Sequence, residues 1–265
     1  MRLQILVVTI NRNDLGLVKK MNIRSDVLIA NQTDRYDYLK EEGTFSKEMV
    51  STSTRGVSIN RNLAITCSSP DAEYIMFLDD DIVLNNDYLD IINNEFNKHP
   101  YAEAVKFSLS AMEGERHRLK KPIKFCKANR KLIGPVGVCG VVIKKESLER
   151  HNLFFNQTFG PGTENYCGED TLFLSDMLRK KVNFYFSPLQ IGIINSESSS
   201  WYEGFTERFF YVKGKVLCAE FGKTKANILA HYFAFRNSRR KGCAFSYRKV
   251  LNSYRKGIKD YSKSS

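Results

Sequence analysis

At 265 residues with 42% hydrophobic content, the chain is long enough for one large domain with an appendage and apolar enough for an ordinary globular core. No uninterrupted apolar run approaches the roughly 20 residues of a membrane-spanning helix, and the cysteines stand singly, without C-x-x-C pairs or zinc-finger histidines, which argues against a transmembrane protein, a disulfide framework and a structural zinc. Of the net charge of +12, nine units fall in residues 236–265, where ten Lys or Arg face Asp260 alone.

The opening "MRLQILVVTI" is too short in its apolar run, Ile5 to Val8, for a signal peptide and lacks a small-residue cleavage site, so it reads as a first strand. With scattered thiols and no secretion signal, a reducing cytoplasm is the expected compartment. "SDVLIA" reads as a second strand, "SINRNLAITC" as a helix, "EYIMFL" as a further strand, and "NDYLDIINNEFNKH" as a helix with Leu89, Ile92 and Phe96 on one face. The region from about Ala104 to Lys145 is less regular, and "GPVGVCGVVIKKESL" within it reads as a strand leading into a helix. A Gly-rich loop then enters a helix at about Glu169, "VNFYFSPLQIGII" supplies one or two strands, and from about Phe205 the pattern is helical to the end. Strands alternating with helices imply an α/β fold with a mostly parallel central sheet, whose ligands bind at the carboxyl ends of the strands. The expected division is a catalytic unit over residues 1–204 and a helical extension over residues 205–265.

Three carboxylates, Asp79, Asp80 and Asp81, end the apolar run "YIMFL". Adjacent anions at the end of a buried strand repel one another and resist desolvation, so something must offset that. Residues i and i+2 of an extended segment share a side, which lets Asp79 and Asp81 face one hard cation, Mn2+ or Mg2+, together with phosphate oxygens. The competing reading is a solvated acidic turn that caps the next helix. A second acidic pair, Glu169 and Asp170, follows Gly168 at a helix start. Acidic residues favour first helical turns through capping and the dipole, and a carboxylate there could equally act as a general base. Arg55 and Arg61 in "RGVSINRNLAI" lie near the same sheet edge, where arginine suits diphosphate oxygens.

A strand entering "TINRN", then "RGVSINRNLAI", "YIMFLDDDI" and "GPGTENYCGEDTLFL" together resemble the nucleotide-diphospho-sugar transferase (GT-A) fold, and specifically the family-2 inverting glycosyltransferases of bacterial surface-polysaccharide synthesis. The resemblance spans roughly residues 1 to 200. It implies that Asp79 and Asp81 form a D-x-D motif holding Mn2+ or Mg2+ on the donor diphosphate, with Asp80 between them at the donor. It implies Asp170 as catalytic base with Glu169 beside it, and Arg61 on donor phosphate or base. Thr9, Asn11, Arg12 and Asn31 would line the nucleotide pocket. The implied partners are a nucleotide-diphospho-sugar donor and a glycan or lipid-linked glycan acceptor. Two positions depart from the pattern. Asn195 or Ser196 stands where many relatives carry a histidine, which implies a weaker hold on metal, and "IANQTD" offers Asn31 or Asp34 where many relatives set an aspartate against the base.

In the tail, Tyr247, Val250, Leu251, Tyr254, Ile258 and Tyr261 recur at helical spacing with Arg248, Lys249, Arg255, Lys256 and Lys259 between them. Such a helix either lies on the inner face of an anionic membrane or packs its apolar stripe on the catalytic unit. A haloacid-dehalogenase-type phosphatase with Asp79 as nucleophile is the rival enzyme, although that family begins with the strand that here stands third. Nucleic-acid binding fits poorly, because the positive charge sits in one terminal helix and the ligand edge is acidic.

Overall fold

The computed structural model describes residues 1–111, 122–134, 136–195 and 204–264. Its elements run β1 (Leu3–Ile10), α1 (Gly16–Lys20), β2 (Asp26–Gln32), β3 (Asp37–Glu41), β4 (Lys47–Thr52), α2 (Val57–Thr66), β5 (Tyr74–Asp79), β6 (Ile82–Leu84) and α3 (Tyr88–Lys98). They continue with β7 (Ala104–Ala111), β8 (Cys126–Lys127), α4 (Arg130–Ile133), β9 (Val141–Lys144), α5 (Lys145–Arg150), α6 (Glu169–Arg179), β10 (Phe184–Ile194), α7 (Glu207–Ser238) and α8 (Tyr247–Ser264).

One sheet carries the strands in the order β3-β4-β2-β1-β5-β9-β7-β10-β6, with β8 paired to β10. The longest pairings are parallel: β1 with β2 and β5, β2 with β4, and β7 with β10. β9 runs antiparallel to both β5 and β7. The result is a mixed, mostly parallel α/β sheet flanked by helices, followed by a C-terminal helical pair, as the sequence implies. β1 is buried at every position but its last because both faces are covered, which is why it reads as a continuous apolar run. Alternate residues go to opposite faces: Ile5 and Val7 join Leu17, Ile92 and Phe96 in one core, and Leu6 and Val8 join Ala64, Phe173 and Leu174 in the other.

The hairpin of β3 and β4 has no counterpart in the sequence reading. Its outer strand β3 is exposed at four of five positions, so no apolar alternation marks it. Asp80 and Asp81 form a turn between β5 and β6 instead of continuing the strand.

The apolar stripe of α8 faces inward. Val250, Leu251, Tyr254 and Ile258 are buried in a cluster with Phe210, Leu217, Ala226, Ala230 and Ala234 of α7. The two helices cross almost backbone to backbone, since a methyl group on Gly257 would fall well inside contact with the Tyr211 carbonyl, and one on Gly214 would do the same at Tyr254. α7 is broken at Gly222, whose φ of 75° and ψ of 161° are not helical. No helix among the described residues is long and apolar enough to cross a membrane.

Candidate active site

Because β1, β2, β4 and β5 run parallel, their carboxyl ends meet at one edge, with Thr9 beside Asn31, Asn31 beside Ser51, and Val8 beside Asp79. Thr9 donates its hydroxyl to Asp80 Oδ2 at 2.6 Å, and Arg12 Nη2 reaches the same oxygen at 3.2 Å. Arg12 Nε also donates to Thr9 Oγ1 at 3.3 Å. Thus one basic and one acidic group are paired at the mouth of the site, with side chains 41% and 35% exposed. Asn31 is fully buried: its Oδ1 accepts from Arg12 N–H at 3.0 Å, and its Nδ2 donates to the Arg12 carbonyl and Ser51 Oγ, each at 2.9 Å. Its carboxamide therefore fastens the turn after β1. Asn11 occupies the left-handed region at φ 56°, which asparagine tolerates, and donates its N–H to the Gln32 carbonyl at 2.8 Å. Asp34, exposed and accepting the Thr33 hydroxyl at 3.1 Å, is the carboxylate that this end turns toward water.

The motif "SINRN" gives α2 a polar inner face, and each side chain on it ties down a distant segment. Ser58 donates to the Phe159 carbonyl at 2.6 Å, Asn60 to the Ala30 carbonyl at 2.6 Å, and Asn62 to the Phe155 carbonyl at 2.9 Å. The Ser58 and Asn62 bonds hold the stretch that leads into α6, and the Asn60 bond ties α2 to β2. Between them Arg61, with its side chain 4% exposed, donates to Asp79 Oδ1 at 2.8 Å and to Asp170 Oδ1 at 2.7 Å, and lies 3.9 Å from Glu169 Oε1. Desolvation opposes a charge there, but Asp170 and Asp79 outweigh it and hold the guanidinium firmly protonated. One buried cation thus joins the two acidic motifs. Arg55, six residues earlier, is exposed.

Glu169 and Asp170 open α6 behind Gly168, whose φ of 110° and contact with Val216 admit no side chain. Glu169 is pushed up to about 7, first by burial and then by the Asp170 charge beside it. Asp170 is the more open of the two, at 26% against 11%. Its Oδ2 lies over Gly137, where an added Cβ would come within 2.9 Å. Two groups that sequence reasoning passed over complete the cluster. Lys106, buried on β7, donates to the Cys139 and Phe107 carbonyls and is lowered to about 8 by burial. The Cys139 thiol is raised well above its ordinary value by desolvation and then by Asp79, to which it hydrogen-bonds. The available signal was the lone lysine inside "AVKFSL".

Asp81 accepts the Asn195 N–H on its backbone carbonyl at 2.7 Å, so Asn195, one of the two positions where the resemblance implies a histidine, lies beside the aspartate turn. Ser196 lies outside the described residues, as do residues 112–121 between β7 and β8. Among the described residues no three His, Cys, Asp or Glu side chains gather into a metal-holding group. Asp79 is engaged by Arg61, and Asp80 by Thr9 and Arg12. A magnesium- or manganese-type cation here would draw on hard carboxylate oxygens such as those of Asp79 and Asp81 together with phosphate and water, not on a closed protein cage.

Solved structures share this architecture. S. aureus TarS 1-349 in complex with UDP-GlcNAc superposes with a TM-score of 0.65 at 13% identity, covering 100% of this chain and 93% of that one. The chain has the α/β fold of TarS 1-349. The complex of the same TarS fragment with UDP gives 0.61 at 12% identity, over 100% of this chain and 92% of that one. Against the longer S. aureus TarS structure the TM-score is 0.62 at 14% identity, with 91% of this chain covered but only 44% of TarS, so the chain spans less than half of that protein. No protein-family model and no curated protein sequence matches the chain.

Proposed function

We propose that the chain is an inverting glycosyltransferase of the family-2 type, which moves a sugar from a nucleotide-diphospho-sugar to a hydroxyl of a glycan or lipid-linked glycan in surface-polysaccharide synthesis. The observation that carries this reading is the Arg61 bridge, which sets Asp170 one guanidinium away from Asp79 at the carboxyl edge of a TarS-like sheet. On this reading residues 1–204 are the catalytic unit and residues 205–265 its extension.

Asp170 is the general base. Its Oδ1 is fixed by Arg61, while Oδ2 lies over the bare backbone of Gly137 and would take the acceptor hydroxyl's proton. A proton on Glu169, which titrates at about 7, removes like charge from beside Asp170 as it takes the acceptor's proton. Displacement by that oxygen at the anomeric carbon, opposite the departing diphosphate, inverts the centre. Thr9 and Arg12 stand at the donor end, and the partly exposed Arg12 offers its charge to the diphosphate. With Asn31 closed on the backbone, Asp34 would be the residue that reads the nucleobase. Asp79 and Asp81 would hold Mn2+ or Mg2+, which when bound supplies charge neutralisation to the leaving diphosphate. The phosphatase reading sits less well with the geometry, since its nucleophile Asp79 is occupied by a buried arginine.

TarS 1-349 forms complexes with UDP-GlcNAc and with UDP, which makes a uridine donor the first to test. The test is a thermal-shift panel of UDP, GDP, CDP and dTDP, with and without manganese, on wild type and Asp81→Ala. Stabilisation by one nucleotide that needs both metal and Asp81 is the expected result. If no nucleotide stabilises the chain while a phosphate analogue with magnesium does, the transferase reading fails.

A further inference from the structure

The sequence leaves the apolar stripe of α8 open between a membrane contact and packing within the protein, and the stripe is covered by α7. A second stripe, on α7 beyond Gly222, faces outward. Ile228, Tyr232 and Phe235 are 68%, 58% and 53% exposed, and their spacing of four and three residues places them in one line along the helix. The opposite face of the same helix, Ala226, Ala230 and Ala234, is fully buried, so the orientation is fixed.

The ridge is bordered by positive charge. At 100° per residue, Lys225 and Arg236 fall on one flank of the line and Arg239, just past the end of the helix, continues it; all three are exposed. Arg239 also stacks its guanidinium over the Phe235 ring, 3.6 Å from the centroid. On the other flank Arg255 of α8 is hydrogen-bonded to His231 at 3.0 Å. Across residues 221–265 there are twelve Lys or Arg and one acidic residue, Asp260. We propose that this outer face of α7 docks on an anionic lipid surface, with Ile228, Tyr232 and Phe235 entering the acyl boundary and the flanking arginines and lysines meeting lipid phosphates. Three large apolar side chains in a row gain free energy from an acyl layer and nothing from a nucleic-acid backbone, while the one-signed rim selects an anionic headgroup. The proposal stands apart from the transferase reading, because vesicle binding requires no sugar donor.

Co-sedimentation of the full chain with phosphatidylcholine vesicles, with and without phosphatidylglycerol, tests it. The expected result is binding to the anionic vesicles alone, weakened by salt, and reduced about tenfold or more in the triple variant Ile228→Ser, Tyr232→Ser, Phe235→Ser. The triple variant should keep its melting temperature, since the changed side chains are exposed. Arg236→Gln with Arg239→Gln should bind less and show a shallower salt dependence. Failure of the wild type to bind anionic vesicles overturns the proposal, as does undiminished binding by a folded triple variant. Concentration-dependent self-association that the triple variant abolishes, without vesicle binding, would assign the ridge to a second copy of this chain instead.

Discussion

The carboxyl edge of the sheet and the crossing of α7 with α8 are both tightly packed, but different physics sets their tolerance. At the sheet edge, Arg61 sits buried among Asp79, Asp170 and Glu169, with Lys106 behind them, so the arrangement depends on how many charges of each sign are present. At the helix crossing, Gly214 and Gly257 let two backbones touch, and the charged contacts between the helices, Lys249 with Glu207 and Tyr211 with Asp260, lie around that contact rather than within it. The first region should respond to changes of charge at constant volume and the second to changes of volume at constant charge.

The largest effect is expected at the crossing. Gly257→Val forces the helices apart against a backbone carbonyl and should lower stability by about 3 kcal/mol or more, measured by denaturant unfolding. Nucleotide-dependent stabilisation should persist in whatever fraction stays folded, and its loss would mean that the two regions are not separate. Arg61→Met keeps much of the volume but strands the carboxylates, and should lower stability by about 2–3 kcal/mol, tempered because Asp79 and Asp170 retain contact with water. A melting temperature equal to wild type at neutral pH would show that Arg61 is not the neutralising group.

A pH series sharpens the charge argument. Glu169 titrates at about 7 in the fold against an ordinary 4.5, so the folded chain holds a proton that the unfolded chain lacks between those values. Its contribution is therefore fully present below about 4.5 and is lost as pH rises through about 7. Glu169→Gln removes that dependence, and the variant should gain stability relative to wild type between pH 5 and pH 8. A constant difference across the range would contradict the assignment. The smallest effect is expected from Gly137→Ala, which displaces only the end of the Asp170 side chain. Turnover should fall several-fold, with unchanged melting and unchanged nucleotide binding; an equal fall in binding would place Gly137 at the donor.

What could be read from sequence divides along the same line. The strands β1, β2 and β5, the helix α3 with Ile92 and Phe96 inward, and the acidic pair at the start of α6 are local patterns, and the structure carries them at those places. The Arg61 bridge joins residues 109 positions apart, so residue type could suggest an arginine at the edge but not that it faces carboxylates. The sequence leaves the aspartates open between an extended segment and an acidic turn because alternation cannot show where a strand stops, and the β3–β4 hairpin leaves no mark in it because its outer strand is polar and exposed. In α8, helical spacing identified the stripe correctly but could not say what covers it; the glycines and alanines of α7 decide that.

The central claim is that Asp170, held by Arg61, is the base of a sugar transfer. It is tested most directly by the rate at which the nucleotide sugar that stabilises the chain is converted, in wild type and in Asp170→Asn. The account predicts that the variant binds the donor as wild type does, while kcat falls by about 10²–10⁴-fold. An Asp170→Asn enzyme that turns over at the wild-type rate, with donor bound, would contradict it.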